Sequence, residues 1–364
     1  MSRSYLIAAR RSPIAPRNGA FAALSFADLA QPVLQQTLAD AGLAPVDVDE
    51  LIVSNALGAG GNPARIIGLQ AGLPDHVAGL SIDRQCAGGM DALLIADAMI
   101  RSGQHDVVIA GGVETYSRRP LRSRTFADGR PPEAYDQAPF TPWPDRDPDM
   151  ATAAQELAQA WGVSKADQDA WAIKSHARAR ATKQPEIIPF AGLTRDPFTR
   201  NLTQRLCDKA ASVAGCITAA NMAVAADGAA FVVMVSERWV AQRRAVAFVA
   251  GRTVGGDPEM PGTAPIAAIE AALAQARLSV ADIQCAEIME AFAVQAIACQ
   301  RGAKLPLEIV NTGGGALAWG HPVGASGAVM AARLYHQLGQ TGGAGIAAIA
   351  AAGGIGSAIV LRAD

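Results

Sequence analysis

Two segments far apart in the chain carry one pattern at one spacing, and this duplication restricts the possible folds more than any composition figure. Residues 33–43 place apolar side chains at helical intervals, and after a short break residues 46–53 become strand-like. Residues 268–278 and 281–288 do the same. Leu43 is matched by Leu278 and Asp47 by Asp282, each 235 residues later (278 − 43 and 282 − 47). A helix-period run followed by a strand-like run is part of a βα unit. A second pairing follows: strand, glycine turn, helix and strand ending in Val107-Val108-Ile109-Ala110-Gly111-Gly112 recur between Ile309 and Gly354. Two copies of one βα-rich module, each with helices covering a largely apolar sheet, is the economical reading.

A different region lies between the copies. Residues 118–148 are irregular and rich in Pro and Arg (Arg118, Arg119, Arg122, Arg124, Arg130), and helical patterns follow over 151–161 and 167–182. Irregular loops of this length inside a domain are often functional, so 118–215 is expected to be an insertion over the module's active face. The first copy then spans 1–117 plus 216–245, and the second 246–364. Half the residues are hydrophobic, and the formal net charge is −2. No basic field is present to recruit nucleic acid or an anionic membrane, and no apolar run is long enough to span a bilayer. The first eleven residues read as a strand rather than a leader peptide. Five scattered cysteines form no disulfide framework, which points to a reducing cytoplasm. No metal-ligand spacing is found.

Cys86 sits in Asp83-Arg84-Gln85-Cys86-Ala87-Gly88-Gly89-Met90, after an apolar strand-like stretch and before an amphipathic run. A helix start offers unpaired N–H groups and partial positive charge, which favours the nucleophilic thiolate. A buried core cysteine is the plainer alternative, and only partners elsewhere in the chain separate the two. His321 supplies one. It lies among glycines in Gly313-Gly314-Gly315-Ala316-Leu317-Ala318-Trp319-Gly320-His321-Pro322-Val323-Gly324-Ala325-Ser326-Gly327, 235 residues after Cys86. That is the offset of the repeat, so the two residues are expected at matching points of facing modules. A Cys–His pair supports nucleophilic catalysis. His76, His105, His176 and His336 read as surface residues, and Cys207, Cys216, Cys285 and Cys299 as packing residues.

These blocks, with Ala110-Gly111-Gly112-Val113-Glu114, residues 215–228, Glu290-Ala291-Phe292-Ala293 and the N-terminal Ala8-Ala9-Arg10-Arg11-Ser12-Pro13-Ile14, resemble the thiolases (acetyl-CoA C-acyltransferases) over essentially the whole chain. The resemblance implies an α/β thiolase fold: two βαβαβαββ halves in a five-layered α/β/α/β/α core with an inserted loop domain, assembled as a homodimer or homotetramer. It implies acyl-CoA thioesters as substrates and no further cofactor. By position, Cys86 is the residue that becomes acylated, and His321 activates it and helps hold a thioester oxygen. Met150, Ala291 and Phe292 match positions lining the pantetheine tunnel. The arginines of the insertion lie in the neighbourhood where the family places the phosphates of CoA.

Three positions depart from the family pattern. The second cysteine, which removes the α-proton of the incoming acetyl-CoA, is Ala350 here. The Asn that orders an oxyanion-hole water is Met289, whose thioether accepts weakly and donates nothing. A serine near the pantetheine amide is Ala223. Losing a positioned base typically costs about 10²–10⁴-fold, and losing an oxyanion donor roughly 10²–10³-fold. Both losses fall on the Claisen condensation, while acyl transfer to Cys86 keeps its parts. The expected protein is an acyltransferase with an altered or impaired second step. The alternatives are an ordinary acetyl-CoA acetyltransferase and a non-catalytic acyl-CoA-binding subunit.

Overall fold

Long apolar runs in this chain become strands covered on both faces, as expected for sheets sandwiched between helices. A computed structural model describes residues 3–58, 60–240 and 243–364. In the first half, β1 (Ser4–Arg11) leads through β2 (Ala15–Pro16) into α1 (Phe26–Asp40). β3 (Glu50–Ser54), α2 (Pro63–Gln70), β4 (Leu80–Ile82), α3 (Gly88–Arg101) and β5 (Val107–Glu114) follow. Met1 and Ser2, part of the expected first strand, lie outside the described residues. The insertion carries a small hairpin, β6 (Arg122–Arg124) with β7 (Glu133–Tyr135), inside the stretch expected to be irregular. It continues with α4 (Met150–Ala160), α5 (Lys165–Ala181), α6 (Gln204–Asp208), β8 (Ser212–Ala214) and β9 (Ile217–Thr218). β10 (Ala226–Ser236) returns to the first sheet. The second half is built from β11 (Val246–Gly255), α7 (Ala264–Ala276), β12 (Ile283–Ile288), α8 (Ala293–Gly302), α9 (Ala316–Trp319), α10 (Val323–Thr341), β13 (Gly343–Ala351) and β14 (Ile355–Ala363).

The strands run in the order β12-β13-β14-β11-β1-β10-β5-β3-β4. Among the described residues, the two halves of the sheet are joined by the pairing of β1 with β11, Tyr5 with Ala247 and Leu6 with Val246. The first half is thus β1-β10-β5-β3-β4, and the second is its copy, β11-β14-β13-β12. The place of β4 in the second half is held by an isolated parallel bridge, Ala286 with Val310. Side-chain alternation builds the layers. From β10, Ala230, Val232 and Met234 face a central cluster, while Phe231, Val233 and Val235 face α1 and α2. From β13, Ala347 and Ile349 point to the same central cluster, and Ile346 and Ala348 point to the layer of α7 and α8. The central layer is α3 and α10. This gives α/β/α/β/α.

Local signals agree with these elements. Ser25 and Asp28 form a capping box at the start of α1, and Ser164 and Asp167 form one at α5, each cap contributing about 1 kcal/mol. Asp91 of α3 ties the halves together: Thr253 Oγ1 and Ser357 Oγ donate to its Oδ1 at 2.6 and 2.8 Å. The insertion is held to both halves through Glu186. Arg11 of β1 contacts its Oε1 at 3.3 Å and Arg333 of α10 at 3.0 Å. Among the described residues, no helix is long and apolar enough to cross a membrane.

Candidate active site

The turn that carries Cys86 is strained. Between β4 and α3 the chain makes a 3₁₀ turn, Gln85–Ala87, and Gln85 adopts φ +51°. A left-handed non-glycine residue costs about 1–2 kcal/mol. Asp83 Oδ1 holds the turn by accepting from Gln85 N at 2.8 Å. The matching turn of the second half carries His321, after Gly320 at φ +112°. His321 N donates to Val224 O at 2.8 Å, fixing the turn to the segment ahead of β10.

The two turns converge. Cys86 Sγ lies 3.2 Å from His321 Nε2. Glycines allow α3 and α10 to approach this closely: a Cβ on Gly327 would fall 2.3 Å from Met90 N. Behind the ring, Ser326 Oγ lies 2.6 Å from His321 Nδ1 and donates to Pro322 O at 3.0 Å. A ring proton on Nδ1 donated to Ser326 Oγ, with the hydroxyl proton on Pro322 O, would leave the Nε2 lone pair facing the thiol.

Burial sets the resting charge state. It pushes the Cys86 thiol up to about 12, against a backbone hydrogen bond, and the nearby Glu114 and Asp83 carboxylates push the same way. Burial also holds His321 down to about 4. Burial thus works against the thiolate that the helix start would favour, and against the imidazolium as well. Glu114, at the end of β5, accepts from Asn55 Nδ2 at 2.9 Å, Ala56 N at 3.0 Å, Leu57 N at 3.2 Å and Gly324 N at 3.0 Å. It thereby binds the loop after β3 to the first turn of α10. Its own burial raises it to about 7 in spite of these donors.

Of the other singled-out residues, Ala223, Ala291 and Phe292 line up along one seam. Ala223 N donates to Ala291 O at 2.9 Å, Met222 bridges Phe292, and Ala225 bridges His321. Phe292 and Met222 pack against the cluster that holds Ala151 and Ala154 of α4. Met150 opens α4, capped by Asp149, and is partly buried. At the strand ends, Met289 is buried and its N–H donates to Ala348 O at 3.0 Å. Ala350 pairs with Gly356 near the end of β13, the strand that packs against the Cys86 turn.

Cys285 in β12, Cys299 in α8 and Cys207 in α6 are buried, and Cys216 is partly buried. Two histidines differ from expectation. His176 is 1% exposed and accepts from Arg200 N at 3.3 Å, because the inner face of α5 packs against the following loop. His336 is partly buried with Nε2 2.8 Å from Ala9 O, because this face of α10 packs against β1. Sequence reasoning did not assign supporting roles to Ser326 and Glu114. The usable signal was their place inside the two glycine-rich blocks.

A duplicated α/β scaffold thus brings a thiol and an imidazole at matching helix starts to within 3.2 Å. The thiolase N-terminal domain model matches residues 4–238, and the thiolase C-terminal domain model matches 242–363. A Bacillus subtilis (strain 168) protein carrying a provisional acetyl-CoA C-acetyltransferase name is 35% identical over 99% of each chain. Among solved structures, the Bacillus anthracis acetyl-CoA acetyltransferase superposes with TM-score 0.92 at 30% identity, covering 100% of this chain and 99% of the other. Human mitochondrial 3-ketoacyl-CoA thiolase in complex with CoA does so with TM-score 0.92 at 28% identity, covering 100% and 98%. The chain belongs to the thiolase family.

Proposed function

We propose that this protein is an acyltransferase that takes an acyl group from an acyl-CoA onto Cys86 and carries out the thiolase condensation or thiolysis step poorly or in altered form. The observation that carries the reading is the 3.2 Å contact between Cys86 Sγ and His321 Nε2, set beside Ala350 and Met289 at the strand ends. In the first step, Sγ attacks the thioester carbonyl as its proton passes to Nε2. The S–C bond to CoA then breaks, and His321 returns the proton to the leaving sulfur. Only a neutral imidazole can begin this cycle, and burial keeps His321 neutral. The tunnel assignment of Met150, Ala291 and Phe292 belongs to the same reading and is supported, for Ala291 and Phe292, by their place along the seam that leads to His321.

The second step needs a base for the acceptor's α-proton. A methyl side chain at Ala350 and a thioether at Met289 provide neither base nor donor. The relatives' names favour a second reading, an ordinary acetyl-CoA acetyltransferase, in which some other group removes that proton. Intact-mass spectrometry with short and medium acyl-CoA donors tests the first step: an adduct lost in Cys86→Ala is expected, and its absence with every donor contradicts the proposal. Product chromatography with acetoacetyl-CoA and free CoA tests the second. Cleavage at background level is expected, and robust cleavage would establish the ordinary activity instead.

A further inference from the structure

A separate cavity of about 180 Å³ opens where the chain leaves β5. Arg17, Arg119 and Arg122 line it together with Leu57, Tyr116 and Asp136. Its charge is unbalanced. Arg119 pairs with Asp136 at 2.9 Å, and that carboxylate is 84% exposed, so the pair is easily exchanged for a ligand. Arg122 Nη2 donates to the neutral Ala56 O at 2.7 Å, which leaves its charge uncompensated. Arg17 forms no ion pair among the described residues. Three guanidiniums therefore face one carboxylate around a cleft open to solvent.

The cavity adjoins the Cys86–His321 pair through the backbone. Arg17 N donates to Ala225 O at 2.8 Å, and Ala225 bridges His321. Two neighbouring backbone spacings put Arg17 roughly 10 Å from His321. Tyr116 is the wall between them. The Arg119 guanidinium stands 5.9 Å from its ring centroid. Its phenol is pushed above the ordinary range by burial first, then by Cys86 and Glu114 on one side, and is drawn back by Arg119 and Arg17 on the other. Leu57, also in the lining, is tied by its N–H to Glu114.

We infer that this cavity receives a carboxylate at the far end of the acyl group carried on Cys86, so that ω-carboxyacyl thioesters are preferred donors over neutral acyl thioesters of the same length. The inference rests on the acyl-Cys86 reading. Guanidinium forks match a carboxylate in geometry as well as charge. An acyl chain leaving Sγ and passing Tyr116 would bring its tip to them. The same chemistry would also accept the phosphates of CoA, so the experiment must separate the two sources.

Acylation of Cys86 is followed by intact mass with adipyl-CoA, hexanoyl-CoA and hexanoyl-pantetheine, in the wild-type protein and in Arg17→Gln and Arg119→Gln. Arg17 is exposed and Arg119 pairs only with an exposed carboxylate, so both variants should fold, and hexanoyl-CoA reports whether they do. Bonds to charged groups of this kind support about tenfold or more each. The expected result is an adipyl-to-hexanoyl rate ratio of at least about ten in the wild type that falls towards one in each variant, with the hexanoyl-CoA-to-pantetheine ratio little changed. Equal wild-type rates with adipyl-CoA and hexanoyl-CoA overturn the inference while leaving the acyl-enzyme intact. Variants that lower only the CoA-to-pantetheine ratio also overturn it and assign the arginines to the CoA phosphates. No adduct from any donor removes the acyl-Cys86 reading, and this inference with it.

Discussion

The helix starts and the strand ends of this molecule meet at one site but are built differently. α3 begins at Gly88 and α10 at Val323, 235 residues apart (323 − 88), and Cys86 and His321 each sit two residues before their helix. Both turns are pinned by backbone contacts that cross the halves, including Gly324 N on Glu114 and the close approach of Gly327 to Met90. The strand ends have no such coupling between side chain and fold. Ala350 keeps its pairing with Gly356, and Met289 N keeps its bond to Ala348 O, with apolar side chains at both places. Backbone hydrogen bonding is indifferent to those side chains, so a thiolase fold can persist whether or not the strand ends carry chemistry. On the proposed reading, acyl transfer belongs to the helix starts and condensation to the strand ends, and only the first set is complete.

Substitutions can break this division directly. Cys86→Ala should abolish the acyl adduct, with the variant's mass unchanged by any donor. His321→Gln should slow adduct formation by about 10²–10⁴-fold in single-turnover measurements. If the strand ends limit the second step, the double variant Ala350→Cys, Met289→Asn should raise acetoacetyl-CoA thiolysis by at least about 10²-fold. No gain would mean that the second step is already served by another group.

Two smaller effects sharpen the picture of the helix starts. A thiol raised to about 12 is protonated throughout the neutral range, and its reactive thiolate fraction grows as pH rises towards that value. Iodoacetamide labelling of Cys86 should therefore climb about tenfold per pH unit above neutrality with no plateau. Labelling that is flat from about pH 6 would reveal a thiolate–imidazolium pair. Ser326→Ala removes the hydroxyl that meets Nδ1 at 2.6 Å, an interaction of about 0.5–1.5 kcal/mol. Acylation should fall by up to about tenfold, and Ser326→Thr should recover most of the rate.

The sequence made the duplication legible because periodicity and offset survive divergence. Gly42, at φ +62°, and Arg277, at φ +55°, still occupy the same left-handed position 235 residues apart. The Cys86–His321 pairing followed from that same offset. Protonation states were not legible, because they depend on how much protein covers the pair, and the covering elements come from every part of the chain. His176 was misread for a related reason: polar neighbours such as Lys174, Arg178 and Arg180 line α5, and a single buried stripe among them gives little apolar signal. The arginine cavity was invisible as a unit, since residues 17, 119 and 122 meet only once Ala225 has bound Arg17 and β5 has closed the first sheet.

The division between helix starts and strand ends is tested most directly by following one acyl-enzyme through time. The protein is loaded with acetyl-CoA, its intact mass is recorded, excess acetyl-CoA is kept as acceptor, and acetoacetyl-CoA is quantified in the same samples. The account predicts one acetyl group on Cys86 that persists, with acetoacetyl-CoA at background. Absence of the adduct, or its conversion to acetoacetyl-CoA over many turnovers, would contradict it.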